Sequence, residues 1–324
     1  MDIKEITKPV REHLDEFDKY FKKMMKSKVS LLDLIVGYIT KKRGKRVRPT
    51  LVFLSAKISG GISERTFVAA AMSELLHTAT LVHDDVVDES SERRGIKSIN
   101  SAWTNKIAVL FGDYLLSRGL LAAIDNDEFD FLKALSLSIK RMSEGELLQI
   151  QKSKEMTFDE EVYFKIISDK TASLIANCCQ IGAMSATDDT AIHQTLYEYG
   201  ELIGLAFQIR DDIFDYISKR RQIGKPVGND LKEKKITLPL IYSLNQAEKP
   251  EAKKILKLVK NGNLKKKNIN TIVKFVTDHN GIDYAKQKAE SFADEAIAKL
   301  DIFEESEEKN TLINFAKFVI NREL

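Results

Sequence analysis

Two short acidic segments stand out. Asp84, Asp85 and Asp88 read D-D-V-V-D, and Asp211, Asp212 and Asp215 read D-D-I-F-D. Each lies inside an apolar, helix-like stretch, LLHTATLVHDDVVD and GLAFQIRDDIFDY. Residues three and four apart share a helix face, so each trio forms one acidic stripe. Crowded carboxylates repel each other unless a cation lies between them. Oxygen-only donors, with no His or Cys among them, suit Mg²⁺, which takes one or two carboxylates and fills its sphere with water and phosphate oxygens. Two such stripes point to several Mg²⁺ ions gripping a diphosphate from both sides. A solvated helix face is the ordinary explanation of a single D-D-x-x-D in a chain with 48 acidic residues. Two occurrences, each flanked by apolar residues with basic residues downstream, favour a site.

The basic candidates lie close to the first stripe. Gly44-Lys45-Arg46-Val47-Arg48-Pro49 is either an ordinary basic loop or a phosphate cradle. Lys45 and Arg48 are three apart and can face the same way, the first as a point charge and the second as a fork. His77 lies two helical turns before Asp84 on the same face; burial in the core is its plainer role. His83 is off the stripe and reads as structural. Arg93-Arg94-Gly95 offers two guanidinium groups pointing apart, for two anionic ligands or for surface pairing with Glu89 or Glu92.

These residues need long helices to hold them. Apolar residues recur at helical spacing in most windows, without strand alternation. The spacing predicts helices over 64–89, 101–124, 128–152, 158–186 and 189–218, with Thr157 and Glu160 as a capping box. The expected fold class is all-α: a single large helical bundle around a deep central cavity. One domain over 1–324 is expected, with 245–324 a C-terminal helical subregion.

Composition narrows the function class. Basic and acidic residues balance to a net charge of +3, which argues against nucleic acid. No continuous apolar run approaches the roughly 18 residues of a membrane span. The charged start lacks a signal-peptide apolar segment. Cys178 and Cys179 are adjacent in an apolar context and read as reduced core residues. The expected location is cytoplasmic.

The ordered set Gly44-Lys45-x-x-Arg48-Pro49, His77, Asp84-Asp85-x-x-Asp88, Arg93-Arg94-Gly95, Gly145-Glu146-x-x-Gln149, Lys170-Thr171 and Phe207-Gln208-x-x-Asp211-Asp212-x-x-Asp215 resembles the trans-isoprenyl diphosphate synthases of the polyprenyl synthetase type. The match runs from about residue 40 to 240. It implies that Asp84, Asp85, Asp88, Asp211, Asp212 and Asp215 bind Mg²⁺, about three ions bridging to an allylic diphosphate. It implies that Arg93, Lys170, Gln208 and Lys225 contact that diphosphate. Lys45, Arg48, His77 and Arg94 would hold isopentenyl diphosphate, and Thr171 would steady the developing cation. Lys235 would belong to a lysine-bearing loop that closes over the diphosphate. The partners implied are isopentenyl diphosphate, an allylic diphosphate such as farnesyl diphosphate, a second copy in a homodimer, and transient membrane contact for product release.

In this family bulky residues one turn before the first acidic segment stop the growing tail. Ala79 and Thr80 occupy those positions and are small. The resemblance therefore implies an all-trans product of six or more isoprene units, suited to a quinone side chain, with Leu120 or Leu121 as candidates for the tunnel floor. The alternatives are a short-chain farnesyl or geranylgeranyl diphosphate synthase, a class I terpene cyclase, and a non-catalytic partner subunit.

Overall fold

The computed structural model describes residues 3–41, 44–93, 95–155, 159–217, 228–233, 235–260 and 264–321. Helices account for nearly all of the described chain. In order they are α1 (Ile3–Ile6), α2 (Arg11–Met24), α3 (Ser30–Thr40), α4 (Val47–Ser59), α5 (Glu64–Val87), α6 (Ile99–Ala102), α7 (Asn105–Asp125), α8 (Phe129–Glu155) and α9 (Glu160–Ile167). They continue with α10 (Ser173–Met184), α11 (Thr190–Ile217), α12 (Asn229–Lys232), α13 (Leu238–Gln246), α14 (Lys249–Lys260), α15 (Lys266–Asp278), α16 (Gly281–Lys299) and α17 (Glu307–Asn321). The only sheet among the described residues is a hairpin, β1 (Glu92–Arg93) with β2 (Ile96–Lys97), turned at Gly95 with φ of 71°. The all-α expectation holds.

The chain forms two compact units. The first comprises Met1–Leu137, Asn177–Tyr197 and Glu305–Thr311. Its centre is α4 and α5. Every residue from Pro49 to Ala56 is buried, so this stretch of α4 is packed on all sides rather than two-faced. α5 opens with a capping box between Ser63 and Thr66 and packs chiefly along α7. Leu75, Ala79 and Val82 of α5 meet Ala108, Phe111 and Leu115 of α7 in one apolar cluster. Gly112 permits the approach: a Cβ there would stand 2.2 Å from His83 Nε2.

One expectation needs correction. α7 is long and apolar enough, by length and composition, to cross a membrane. Charged Lys106, Asp113 and Arg118 interrupt any continuous run. Both faces of the helix are apolar. One face is core, whereas Val109, Leu110, Leu120, Leu121 and Ile124 lie exposed on the other. Leu120 and Leu121 are therefore surface residues, not a tunnel floor.

The second unit comprises Ser138–Ala176, Glu198–Glu304 and Leu312–Leu324. Tyr163, Ile167, Ala172, Ile209, Ile213, Leu238 and Ala285 form one of its clusters, around the last turns of α11. A second cluster ties α14 and α15 together through Ile255, Val259, Ile269, Ile272 and Phe275. Between α9 and α10 the helix opens into a π-turn, Ser168–Ala172, so the predicted helix over 158–186 contains a widened turn. The helix starts under Asp159, whose side chain accepts from Glu161 N at 2.8 Å; Thr157 lies outside the described residues.

Candidate active site

In the first unit, the first acidic segment forms the end of α5, with Asp88 as its C-cap. Carbonyl groups at a helix C-terminus already carry partial negative charge, so added carboxylates there need cationic compensation. Asp84 and Asp88 are exposed, while Asp85 is buried. The Asp85 carboxylate is gripped by Arg93, whose Nε lies 2.8 and 2.9 Å from its two oxygens and whose Nη2 lies 2.7 Å from Oδ1. The β1–β2 hairpin brings Arg93 back to α5. Asn100 Nδ2 ties the Asp85 carbonyl to that of Ser90 at 3.1 Å each. Arg93 thus pairs with Asp85, not with Glu89 or Glu92, and Asn100 is a supporting residue that no local sequence pattern announces.

Lys45 is exposed and Arg48 half-buried in the first turn of α4. Between them Arg46 adopts a left-handed conformation, φ 52°, uncommon for a residue with a Cβ. Its guanidinium pairs with Asp18 and, at 3.3 Å, with Asp15 of α2. Its carbonyl accepts from Thr50 N at 3.0 Å. The backbone of the basic element is thereby pinned to α2. His77 is buried, and its carbonyl accepts from the Thr80 hydroxyl at 2.9 Å. His83 is structural as expected, its Nε2 3.1 Å from the Val109 carbonyl. Arg94 lies outside the described residues.

A cavity in this unit, open to solvent, lies along a neighbouring face of α5. Thr78, Leu81, Val82 and Asp85 line it together with Phe17 and Tyr38. Ala79 and Thr80 are not in its wall. Ala79 is fully buried against α7, while Thr80, half-buried, shares the face of His77 and Asp84.

In the second unit, the second acidic segment repeats the exposed-then-buried order of the first two residues. Asp211 is exposed, Asp212 buried and Asp215 half-buried. Asp212 is held by the Tyr163 hydroxyl at 2.7 Å on Oδ2 and by Gln208 Nε2 at 2.8 Å on Oδ1. Thr171 Oγ1 donates to Gln208 Oε1 at 2.9 Å, so three expected site residues form one chain of hydrogen bonds. Burial, and then the negative charge of Asp230, push the Asp212 carboxyl up to about 8. Burial and Asp212 push the Tyr163 hydroxyl well above its usual range.

Asp215 Oδ2 accepts from Asp230 N at 3.2 Å, and its carbonyl from Gly228 N at 3.1 Å, which anchors the start of α12. Lys170 pairs with Glu146 and donates to Gln149 Oε1 at 3.1 Å, giving the Gly145-Glu146-x-x-Gln149 motif a place. Lys235 pairs with Glu233 at 2.7 Å. Lys225 lies outside the described residues.

Among the described residues, no three or more His, Cys, Asp and Glu side chains converge into a ready-made metal cage. Exposed carboxylates beside a buried, already partnered one suit a hard cation that takes one or two protein oxygens and completes its sphere elsewhere.

The sequence pattern of the polyprenyl synthetase family matches residues 29–276. The chain belongs to the polyprenyl synthetase family. It is a trans-prenyl diphosphate synthase, a prenyltransferase of isoprenoid synthesis. This synthase is 32% identical to the octaprenyl diphosphate synthase of Haemophilus influenzae over 322 residues, covering 99% of this chain and 98% of that one. Its structure superposes on a decaprenyl diphosphate synthase from Rhodobacter capsulatus with TM-score 0.93 at 29% identity, covering 99% and 100% of the two chains. It superposes equally well, with TM-score 0.92 at 29% identity over 99% and 98% of the chains, on a polyprenyl synthase from Caulobacter crescentus crystallised with calcium and isoprenyl diphosphate. The family requires a divalent metal.

Proposed function

We propose that this synthase condenses isopentenyl diphosphate with an allylic diphosphate, such as farnesyl diphosphate, to give an all-trans product of six or more isoprene units. The observation that carries the site assignment is the shared build of the two acidic segments. In each, the first Asp is exposed and the second is buried and fixed by a partner, Arg93 for Asp85 and Tyr163 with Gln208 for Asp212. Asp84, Asp88, Asp211 and Asp215 then hold Mg²⁺, about three ions. When bound, the metal supplies positive charge against the departing diphosphate.

The chain's own residues do the rest. Lys170, Lys225, Arg93 and Gln208 contact the allylic diphosphate, and Lys235 covers it. Charge that builds on the diphosphate as the allylic C–O bond breaks is met by these preplaced donors. Lys45, Arg48, His77 and Arg94 hold isopentenyl diphosphate so that its double bond attacks the allylic carbon. The proton released leaves with the diphosphate. The Thr171 hydroxyl dipole steadies the cation, and apolar walls exclude water that would quench it.

Three further readings belong to the same proposal. The exposed apolar row Leu110, Leu120, Leu121, Ile124 and Phe129 is the face of a homodimer. The exposed lysines of α14 and the start of α15, Lys253, Lys254, Lys257, Lys265, Lys266 and Lys267, give transient contact with an anionic membrane into which the product, a quinone side chain, is released. Two buried free thiols, Cys178 and Cys179, accord with a cytoplasmic location. Activity in the presence of Mg²⁺, lost to a chelator and restored by added metal, tests the core of the proposal; a chelator-resistant condensation would refute it.

A further inference from the structure

Lys170 and Thr171 are not in ordinary α-helix. They lie in the π-turn Ser168–Ala172. Such a turn is widened by one residue and persists where its surroundings hold it, often at functional sites. Arg141 of α8 reaches both residues that open the turn. Its Nε donates to Asp169 Oδ1 at 2.8 Å, and its Nη2 donates to Ser168 Oγ at 2.7 Å. Nη2 also reaches Glu201 Oε1 of α11 at 2.7 Å, and Ser168 Oγ donates to that same oxygen at 2.9 Å.

Asp169 is only 2% exposed. A buried carboxylate needs partners, and Arg141 shares that role with Lys165 Nζ at 2.5 Å. Two glycines close on the turn from either side. A Cβ on Gly145 would stand 2.9 Å from Asp169 Cβ and 3.0 Å from Lys170 N. A Cβ on Gly204 would stand 2.5 Å from Ala172 Cα. Backbone contact this close leaves the turn little room to shift.

We propose that Arg141 is a positioning residue that fixes the π-turn and so sets where Lys170 and Thr171 present their side chains. It does so by forking between Asp169, Ser168 and Glu201, and Gly145 and Gly204 bound the turn from α8 and α11. The inference rests on the assignment of Lys170 and Thr171 to the allylic side. A lysine at 141 would keep the charge beside Asp169 but lose the planar fork.

The test is steady-state kinetics of Arg141→Lys, Gly204→Ala, Lys170→Ala and the double variant Arg141→Lys/Lys170→Ala, with thermal melting of each. Arg141→Lys and Gly204→Ala should each lower kcat/KM for the allylic diphosphate by about tenfold or more, with KM for isopentenyl diphosphate within about twofold of wild type. A purely structural role would lower the melting temperature and leave both KM values alone. In the Lys170→Ala background, Arg141→Lys should add less than about a further threefold, because both act through one group. Wild-type kinetics for Arg141→Lys beside an impaired Lys170→Ala would overturn the positioning role. So would equal losses for both substrates or full additivity. Wild-type kinetics for Lys170→Ala would overturn the assignment of Lys170, and the proposal with it.

Discussion

Arg93 grips Asp85 through both carboxylate oxygens, with three N···O contacts between 2.7 and 2.9 Å. The three carboxylates of the acidic segment therefore divide the work. Asp85 anchors the β1–β2 hairpin to α5, while Asp84 and Asp88 remain at the surface. Breaking a buried, two-pronged pair leaves one charge uncompensated, although Arg93 keeps about a third of its side chain in solvent. Asp85→Ala is expected to cost roughly 1–3 kcal/mol of stability in denaturant melts. Asp84→Ala should melt like wild type yet lose several orders of magnitude in turnover. If the two variants share one profile, this division fails.

The two substrate sides should separate in kinetics. Lys45→Ala should chiefly raise KM for isopentenyl diphosphate, and Lys170→Ala should chiefly impair the allylic substrate. A lost hydrogen bond to a charged group costs roughly 1.5–3 kcal/mol, so shifts of about ten- to a hundredfold are expected. Identical behaviour of both variants toward both substrates would show that the partition is wrong.

Asp212 makes the stability of the metal-free protein depend on pH. Its carboxyl sits at about 8 in the folded state, against about 3.9 in an unfolded chain. A raised carboxyl pKa favours folding fully below the unfolded value, and that advantage is lost as pH rises through the folded one. With a chelator present, stability should fall between about pH 4 and pH 8, by an amount on the order of a few kcal/mol. Asp212→Asn should flatten that slope in melts recorded across the range. An unchanged slope in the variant would place the titration elsewhere.

Product length should respond to bulk at Ala79 and Thr80. Thr80 shares the face of His77 and Asp84, so Thr80→Phe should shorten the product to about three or four isoprene units, a ring filling about one 5.4 Å helical turn. Ala79 is fully buried against α7, so Ala79→Tyr should shorten the product as well and cost about 1–3 kcal/mol in stability through overpacking. Chromatography of the dephosphorylated products decides this. Unchanged product from both variants would mean that the tail does not pass this stretch of α5.

Much of the framework was legible in the sequence because long periodic helices depend on local spacing. The predicted 64–89 and 189–218 correspond to α5 and α11. The supporting residues were not legible, because their partners are distant in sequence. Tyr163 lies 49 positions from Asp212, and Arg46 lies 28 from Asp18. Local spacing offers Arg93 an anionic ligand or its neighbours Glu89 and Glu92; that the hairpin folds it back onto Asp85 is visible only in the structure. Periodicity also cannot register a π-turn, since the apolar residues on either side of Ser168–Ala172, Ile166 and Ile167 before it and Leu174 and Ile175 after it, read as one helix. α7 misled for a different reason: both its faces are apolar, and only the structure separates core from surface.

The central claim is that this chain elongates rather than cyclises or merely binds. The most direct measurement is chromatography of products after incubation with Mg²⁺, farnesyl diphosphate and excess isopentenyl diphosphate. The account predicts an all-trans ladder ending at six or more isoprene units and abolished by a chelator. A product that stops at three or four units, a cyclic hydrocarbon, or no consumption of isopentenyl diphosphate would contradict it.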